Sequence, residues 1–206
     1  MKLFLALSLS LFAAAAAAQG LAPDVQVKNI TNEVIGIIKQ DKDIQAGNHK
    51  KINDLVDAKV LPHFNFSRMT ALAVGRNWPK ANAAQQKALT NEFRTLLVHT
   101  YSSALSTYKN QVIEFKPLRA AAGDIDVMVR TQVKQPGTEP ISIDYGMEKT
   151  PGGWKVYDVV VGGVSLVTNY RETFNAEIRT SGVDGLIKSL VNKNRSLEIQ
   201  ASSKSK

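Results

Sequence analysis

Apolar residues recur every three or four positions through residues 22–40, where Val27, Ile30, Val34, Ile37 and Ile38 share one side of a helix. Ile52, Leu55, Val56 and Val60 repeat the pattern until Pro62 disfavours its continuation. A short helix is predicted over Ser67–Val74, with Ser67 as its cap and Gly75 near its end. The longest helical signal follows, with Asn77 or Asn82 as cap. Leu89, Phe93, Leu96, Leu97, Thr100, Tyr101, Ala104 and Tyr108 form its stripe, broad enough to bury against a sheet.

After Asn110 the period falls to two. Segments QVIEFKP, DIDVMVRTQVK, ISIDYGMEK and WKVYDVVV predict four strands joined by short turns such as QPGTEP and TPGG. Val127 and Val129 share one face of the second, and Ile143, Tyr145 and Met147 one face of the third. Two helices then close the chain: Leu166, Tyr170, Phe174 and Ile178 mark the first, and Val183, Leu186, Ile187 and Leu190 the second. The expected class is α+β, a strongly curved antiparallel sheet of about four strands wrapped by N-terminal, central and C-terminal helices.

Composition adds a compartment to this picture. Lys2, the apolar run LFLALSLSLF and the small residues before Gln19 predict a secretory signal peptide over residues 1–18, cut near Ala18. Residues 19–196 are expected to form one domain, with a possible helical subdomain, and 197–206 a flexible tail. The chain has no cysteine, so packing rather than disulfides must stabilise an exported protein. The net charge of +8 favours anionic partners, but the cations are dispersed and no basic stretch is interleaved with aromatics, which argues against nucleic acid.

Catalytic chemistry finds little support. His49, His63 and His99 are scattered, and no HExxH, GxSxG or phosphate-cradling glycine loop is present. Asp126, Asp144 and Asp158 could supply a general base in an apolar pocket, yet each alternates with apolar residues and is expected on the hydrated face. No enzyme, metal or cofactor is expected.

Two blocks carry a resemblance. GGWKVYDVVVGGVSLVTNYRETF, Gly152–Phe174, supported by GRNWPKANAAQQKALTNEFRTLLVHTY, Gly75–Tyr101, resembles the MlaC family of periplasmic phospholipid-binding proteins, the toluene-tolerance or auxiliary components of an ABC transporter. The resemblance implies an NTF2-like curved sheet and a soluble periplasmic carrier with a glycerophospholipid as cargo. It implies exchange with an outer-membrane lipoprotein complex and an inner-membrane ABC transporter containing an MCE-domain protein, in support of outer-membrane lipid asymmetry. The positions carried over are Trp78, the helix through Phe93 and Tyr101, and Trp154, Tyr157, Asp158, Gly163, Val164, Ser165, Leu166, Asn169, Tyr170, Arg171 and Phe174.

Physical reasoning sets what such a carrier requires. Two acyl chains hold about 28 methylenes, and at roughly 0.8 kcal/mol each their transfer term is on the order of 20 kcal/mol, so nearly all of both must be shielded. The expected lipid-binding residues are Phe93, Leu97, Tyr101, Val127, Val129, Ile143, Tyr145, Met147, Trp154, Leu166, Tyr170 and Phe174. Alternation predicts their burial without distinguishing buried protein from buried ligand. Arg130, Lys155 and Arg171 are candidate headgroup cations at the rim, though Arg171 is slightly better suited to pair with Glu172, Glu177 or Asp158 and lock the corner built from Gly162, Gly163, Ser165 and Asn169. An NTF2-like pocket enzyme acting on a small apolar substrate and a non-catalytic envelope interaction protein are the alternatives.

Overall fold

The computed structural model describes residues 20–204, so the expected signal peptide lies outside the described residues. Helix α1 (Pro23–Gln40) begins with proline in its first turn, where no amide hydrogen is needed, and buries Val27, Val34 and Ile38. Asp41 then accepts hydrogen bonds from the Asp43 and Ile44 amides and starts a short helix, α2 (Lys42–Gln45), that the apolar pattern is too brief to signal. Helix α3 (His49–Lys59) is capped by Asn48 and runs into a 3-10 turn at Leu61–His63.

Helix α4 (Phe66–Val74) corrects one expectation, because its cap is Asn65, whose side chain accepts the Arg68 amide. Ser67 sits inside the first turn instead. A 3-10 turn (Gly75–Lys80) leads to α5 (Ala83–Tyr101), where Asn82 and Gln85 form a reciprocal capping box, deciding between the two expected caps. Helix α5 stops at Tyr101, and a further 3-10 turn (Ser102–Thr107) carries Ala104 away from the stripe.

The sheet is open and antiparallel, with five strands in chain order: β1 (Val112–Phe115), β2 (Asp126–Lys134), β3 (Ile141–Thr150), β4 (Gly153–Val161) and β5 (Val164–Ser165). The expected count of four misses β5. Gly162 and Gly163, at φ 57° and 84°, make a two-residue hairpin that pairs Val161 with Val164. A turn with positive φ at both positions matches the right-handed twist of the strands, and glycine adopts it without strain.

A bulge interrupts β4. Met147 pairs with Val156 and Gly146 with Asp158, so Tyr157 is the extra residue, and the inward set changes from Trp154 and Val156 to Val159 and Val161. Strict alternation through β4 therefore assigns half the strand to the wrong face. Gly146 is needed beside the bulge, because a Cβ there would stand 3.1 Å from the Tyr157 ring.

Helix α6 (Leu166–Lys204) contains both expected C-terminal helices, separated by one non-helical residue, Gly182. It continues to Lys204, over residues 197–204 of the segment expected as a flexible tail, and Leu197 packs on the helical core. Here the expectation of α5 against a sheet also fails. Helix α5 packs chiefly on α6 and α4, forming a helical layer that meets the sheet at β4.

Candidate functional site

The inner face of the sheet carries Val127, Val129, Thr131 and Val133 on β2 opposite Met147, Tyr145, Ile143 and Ile141 on β3. Helix α1 crosses this face, and its Val27 joins Val127, Val129, Met147 and Val156 in one buried cluster. At that end the layers close. Further along they separate, and a cavity of about 500 Å³ opens between α1, the inner face and the 3-10 turns that follow α3 and α5. Its wall includes Ile30, Val34, Ile35 and Ile38 from α1, Leu105 and Tyr108, and Ile113, Val133, Ile141, Ile143, Tyr145, Met147, Val156 and Val161 from the sheet.

Among the described residues the wall carries no aspartate, glutamate, lysine or arginine. His63 and Tyr145 are its groups with displaced titration, and both are held neutral. Burial, then the nearby Lys155 ammonium, pushes His63 below its ordinary value. Burial pushes the Tyr145 hydroxyl up to about 12. At neutral pH the chamber thus offers an uncharged interior of a size suited to an apolar ligand.

The expected lipid-binding residues are spread over the chamber, the packed cluster at its closed end and the helical core. Ile143, Tyr145 and Met147 line the chamber. Val127, Val129 and Trp154 belong to the packed cluster at its closed end. Phe93, Leu97, Tyr170 and Phe174 lie in the helical layer's own core, where Phe93 meets Tyr170 and Phe174 edge-on at 5.0 and 5.1 Å between ring centroids. Leu166 is half-buried and Tyr101 exposed, and neither lines the chamber.

The expected rim cations are likewise dispersed. Arg130 is exposed on the outer face opposite Asp144. Lys155 donates to the Pro62 carbonyl at 2.5 Å. Arg171 Nε donates to the Leu72 carbonyl at 2.9 Å, tying α6 to the end of α4. The corner around Gly162 and Gly163 is fastened by Ser165, whose Oγ donates to Asp158 at 2.6 Å and accepts from the Thr168 amide at 3.0 Å. Asp158 also accepts from the Val159 and Val167 amides. Asn169 is exposed.

The outer face holds a second polar assembly. Arg68 of α4 reaches Glu148 at 2.8 Å and Asp126 at 2.6 Å, and lies over the Tyr157 ring at 3.7 Å. Tyr157 donates to Asp126 at 2.6 Å, and its own titration is pushed to about 12, first by burial and then by that bond. Asp126, Asp144 and Asp158, the candidate general bases, do not line the chamber.

Sequence reasoning found the α1 stripe but assigned it no role, and it missed Leu105 and Tyr108 as chamber wall. The α1 spacing was the available signal. Nothing local reveals that this helix, rather than α5, roofs the inner face.

Comparison with known proteins follows the same lines. The profile of the family described as MlaC protein matches residues 28–192. The chain is 27% identical over 154 residues to the intermembrane phospholipid transport system binding protein MlaC of Haemophilus influenzae, covering 70% of this chain and 72% of that protein. It is 25% identical over 163 residues to toluene tolerance protein ttg2D of Pseudomonas putida, covering 79% and 75% respectively. A phospholipid-binding protein from Ralstonia solanacearum, solved in complex with a phospholipid, superposes with a TM-score of 0.81 at 40% identity, over 86% of this chain and 99% of that one.

Proposed function

The chain belongs to the MlaC family, and from that premise we propose that it is a soluble periplasmic carrier whose inner-face chamber shields the acyl chains of a glycerophospholipid. The observation that carries this reading is the cavity of about 500 Å³ walled by uncharged, mostly aliphatic side chains. A cavity of that size in an ordinary core would forfeit the contacts that stabilise it, since interiors otherwise pack as densely as organic crystals. A hydrocarbon guest restores them. The phospholipid complex of the Ralstonia solanacearum protein supports the same cargo class.

The proposed cycle places this protein between an outer-membrane lipoprotein complex and an inner-membrane ABC transporter with an MCE-domain protein, in support of outer-membrane lipid asymmetry. The Haemophilus influenzae relative, the binding protein of an intermembrane phospholipid transport system, supports that placement. The protein's proposed part is binding: the mostly aliphatic chamber wall suits acyl chains, and the candidate carboxylates stand outside it. Mass spectrometry after gentle lipid extraction tests the reading. Near-stoichiometric phospholipid is expected, and a rigorously lipid-free protein with a collapsed interior overturns it.

A further inference from the structure

The chamber has its mouth where the wall is open to solvent, at the end of β4, at the start of β3 and at the 3-10 turn after α5, where Ala104 and Thr107 are exposed. Ile141 and Val161 line it there while 51% and 38% exposed. A head group joined to buried tails must emerge at such a rim, because no charged group in the wall can offset the cost of burying a phosphate. Lys155 does not stand at this mouth, being drawn to Pro62, and Arg171 is committed to Leu72.

Beside the chamber, a second hollow of about 340 Å³ is bounded by Lys39, Gln45, Ser106 and Lys109 together with Ile38 and Tyr108. Ile38 and Tyr108 also line the chamber, so Tyr108 stands as a partition between an apolar space and a cationic notch. Lys39 Nζ lies 5.7 Å from the centre of that ring.

The surroundings leave the positive charge uncompensated. Among the described residues neither Lys39 nor Lys109 has a carboxylate partner. The acids next in the chain, Asp41 and Asp43, are both held by Lys51, at 3.0 and 2.8 Å. The Ile38 and Lys39 carbonyls at the end of α1, which would repel an anion, each accept the Gln45 side-chain amide at 2.9 Å.

We propose that the Lys39–Lys109 notch binds the phosphodiester of the carried lipid while the tails occupy the chamber on the other side of Tyr108. This rests on the carrier reading and adds where the head group sits. Two ammonium groups on flexible stems act as point charges without a fixed fork, so they recognise the phosphate shared by all glycerophospholipids and leave the rest of the head group unread.

The test offers the protein equimolar dioleoylphosphatidylglycerol and dioleoylglycerol in mixed micelles, which share tails and differ at the phosphate, and counts bound lipid by mass spectrometry. The unaltered chain is expected to prefer the phospholipid. K39Q/K109Q lowers that preference about fivefold, as two solvent-accessible ion pairs allow, with total occupancy retained. K28Q/K87Q, which removes two exposed lysines elsewhere, keeps it. An unchanged ratio in K39Q/K109Q at full occupancy overturns the notch and leaves the carrier reading standing. If the unaltered chain takes up neither lipid, the carrier reading falls and the notch with it. Sodium phosphate provides the remaining arm: if it moves the Lys39 and Lys109 amide resonances of lipid-free protein as strongly as phospholipid micelles do, the notch is a free-phosphate site and the lipid assignment is overturned.

Discussion

The helical layer and the inner-face layer are built from the same kinds of residue, yet one closes and the other leaves a chamber. In the helical layer three helices converge, and Phe93, Tyr170 and Phe174 fill the junction with mutually edge-on or tilted rings. Over the sheet a single long helix, α1, faces strands β2 to β4. Near Val127, Met147 and Val156 it packs closely, and toward Ile141 and Val161 it does not. Burial of apolar surface is non-directional, so it drives both layers together without deciding whether protein or ligand fills the space between them. The number and shape of the converging elements decide that.

This contrast makes predictions of decreasing size. Phe93→Ala in the closed layer, at a fully buried ring, is expected to cost about 3–5 kcal/mol in a denaturant titration. Lipid bound per folded molecule should stay constant; a selective loss of lipid would mean that the helical core belongs to the site.

Arg68→Met cuts the polar clasp between the layers. Asp126 and Glu148 are directly opposed on β2 and β3, so removing the guanidinium leaves two like charges facing each other as well as breaking two ion pairs. Arg68 is 32% exposed at the side chain, which screens the loss and holds it to about 1–2 kcal/mol. A shift smaller than the error of thermal unfolding would show that the layers are joined by packing alone.

Ile143→Trp in the chamber should reverse the pattern. The added volume has space to enter, so the stability change is expected to fall below the roughly 1–3 kcal/mol of ordinary overpacking. Phospholipid occupancy should drop sharply by mass spectrometry. Full occupancy would place the tails elsewhere.

The smallest effect appears only at high pH. Tyr145, Tyr157 and Tyr170 are each raised to about 12, chiefly by burial, from an ordinary value of 10.0. Their contribution to stability is therefore complete below about pH 10 and is lost as pH rises toward 12, because the unfolded chain releases these protons first. Phenolate absorbance should show this delay, and Tyr145→Phe should remove the chamber's share of it. If bound lipid replaces water at the chamber wall, it should delay Tyr145 further and leave Tyr170 unchanged.

The legible parts of the fold were those with a local period. The four expected strands and the main helices follow from the spacing of apolar positions, and Gly162–Gly163 announced a turn. The fifth strand was too short to carry a period. The bulge at Tyr157 escaped because one inserted residue leaves composition unchanged while reversing which side chains face inward. At the site, Ile143, Tyr145 and Met147 were correctly placed on one buried face, whereas Phe93 and Phe174 gave the same burial signal from a different core.

The sequence by itself determined the α+β class, the inward face of β2 and β3, and the amphipathic stripes that had to be covered. Only the tertiary structure decided that α1 would cover the sheet, that α5 would turn to α4 and α6, and where the gap between layers would fall. An apolar stripe specifies that a partner must exclude water from it. Which partner does so, and how completely, is set by chain connectivity, strand register and the volumes that meet across the interface.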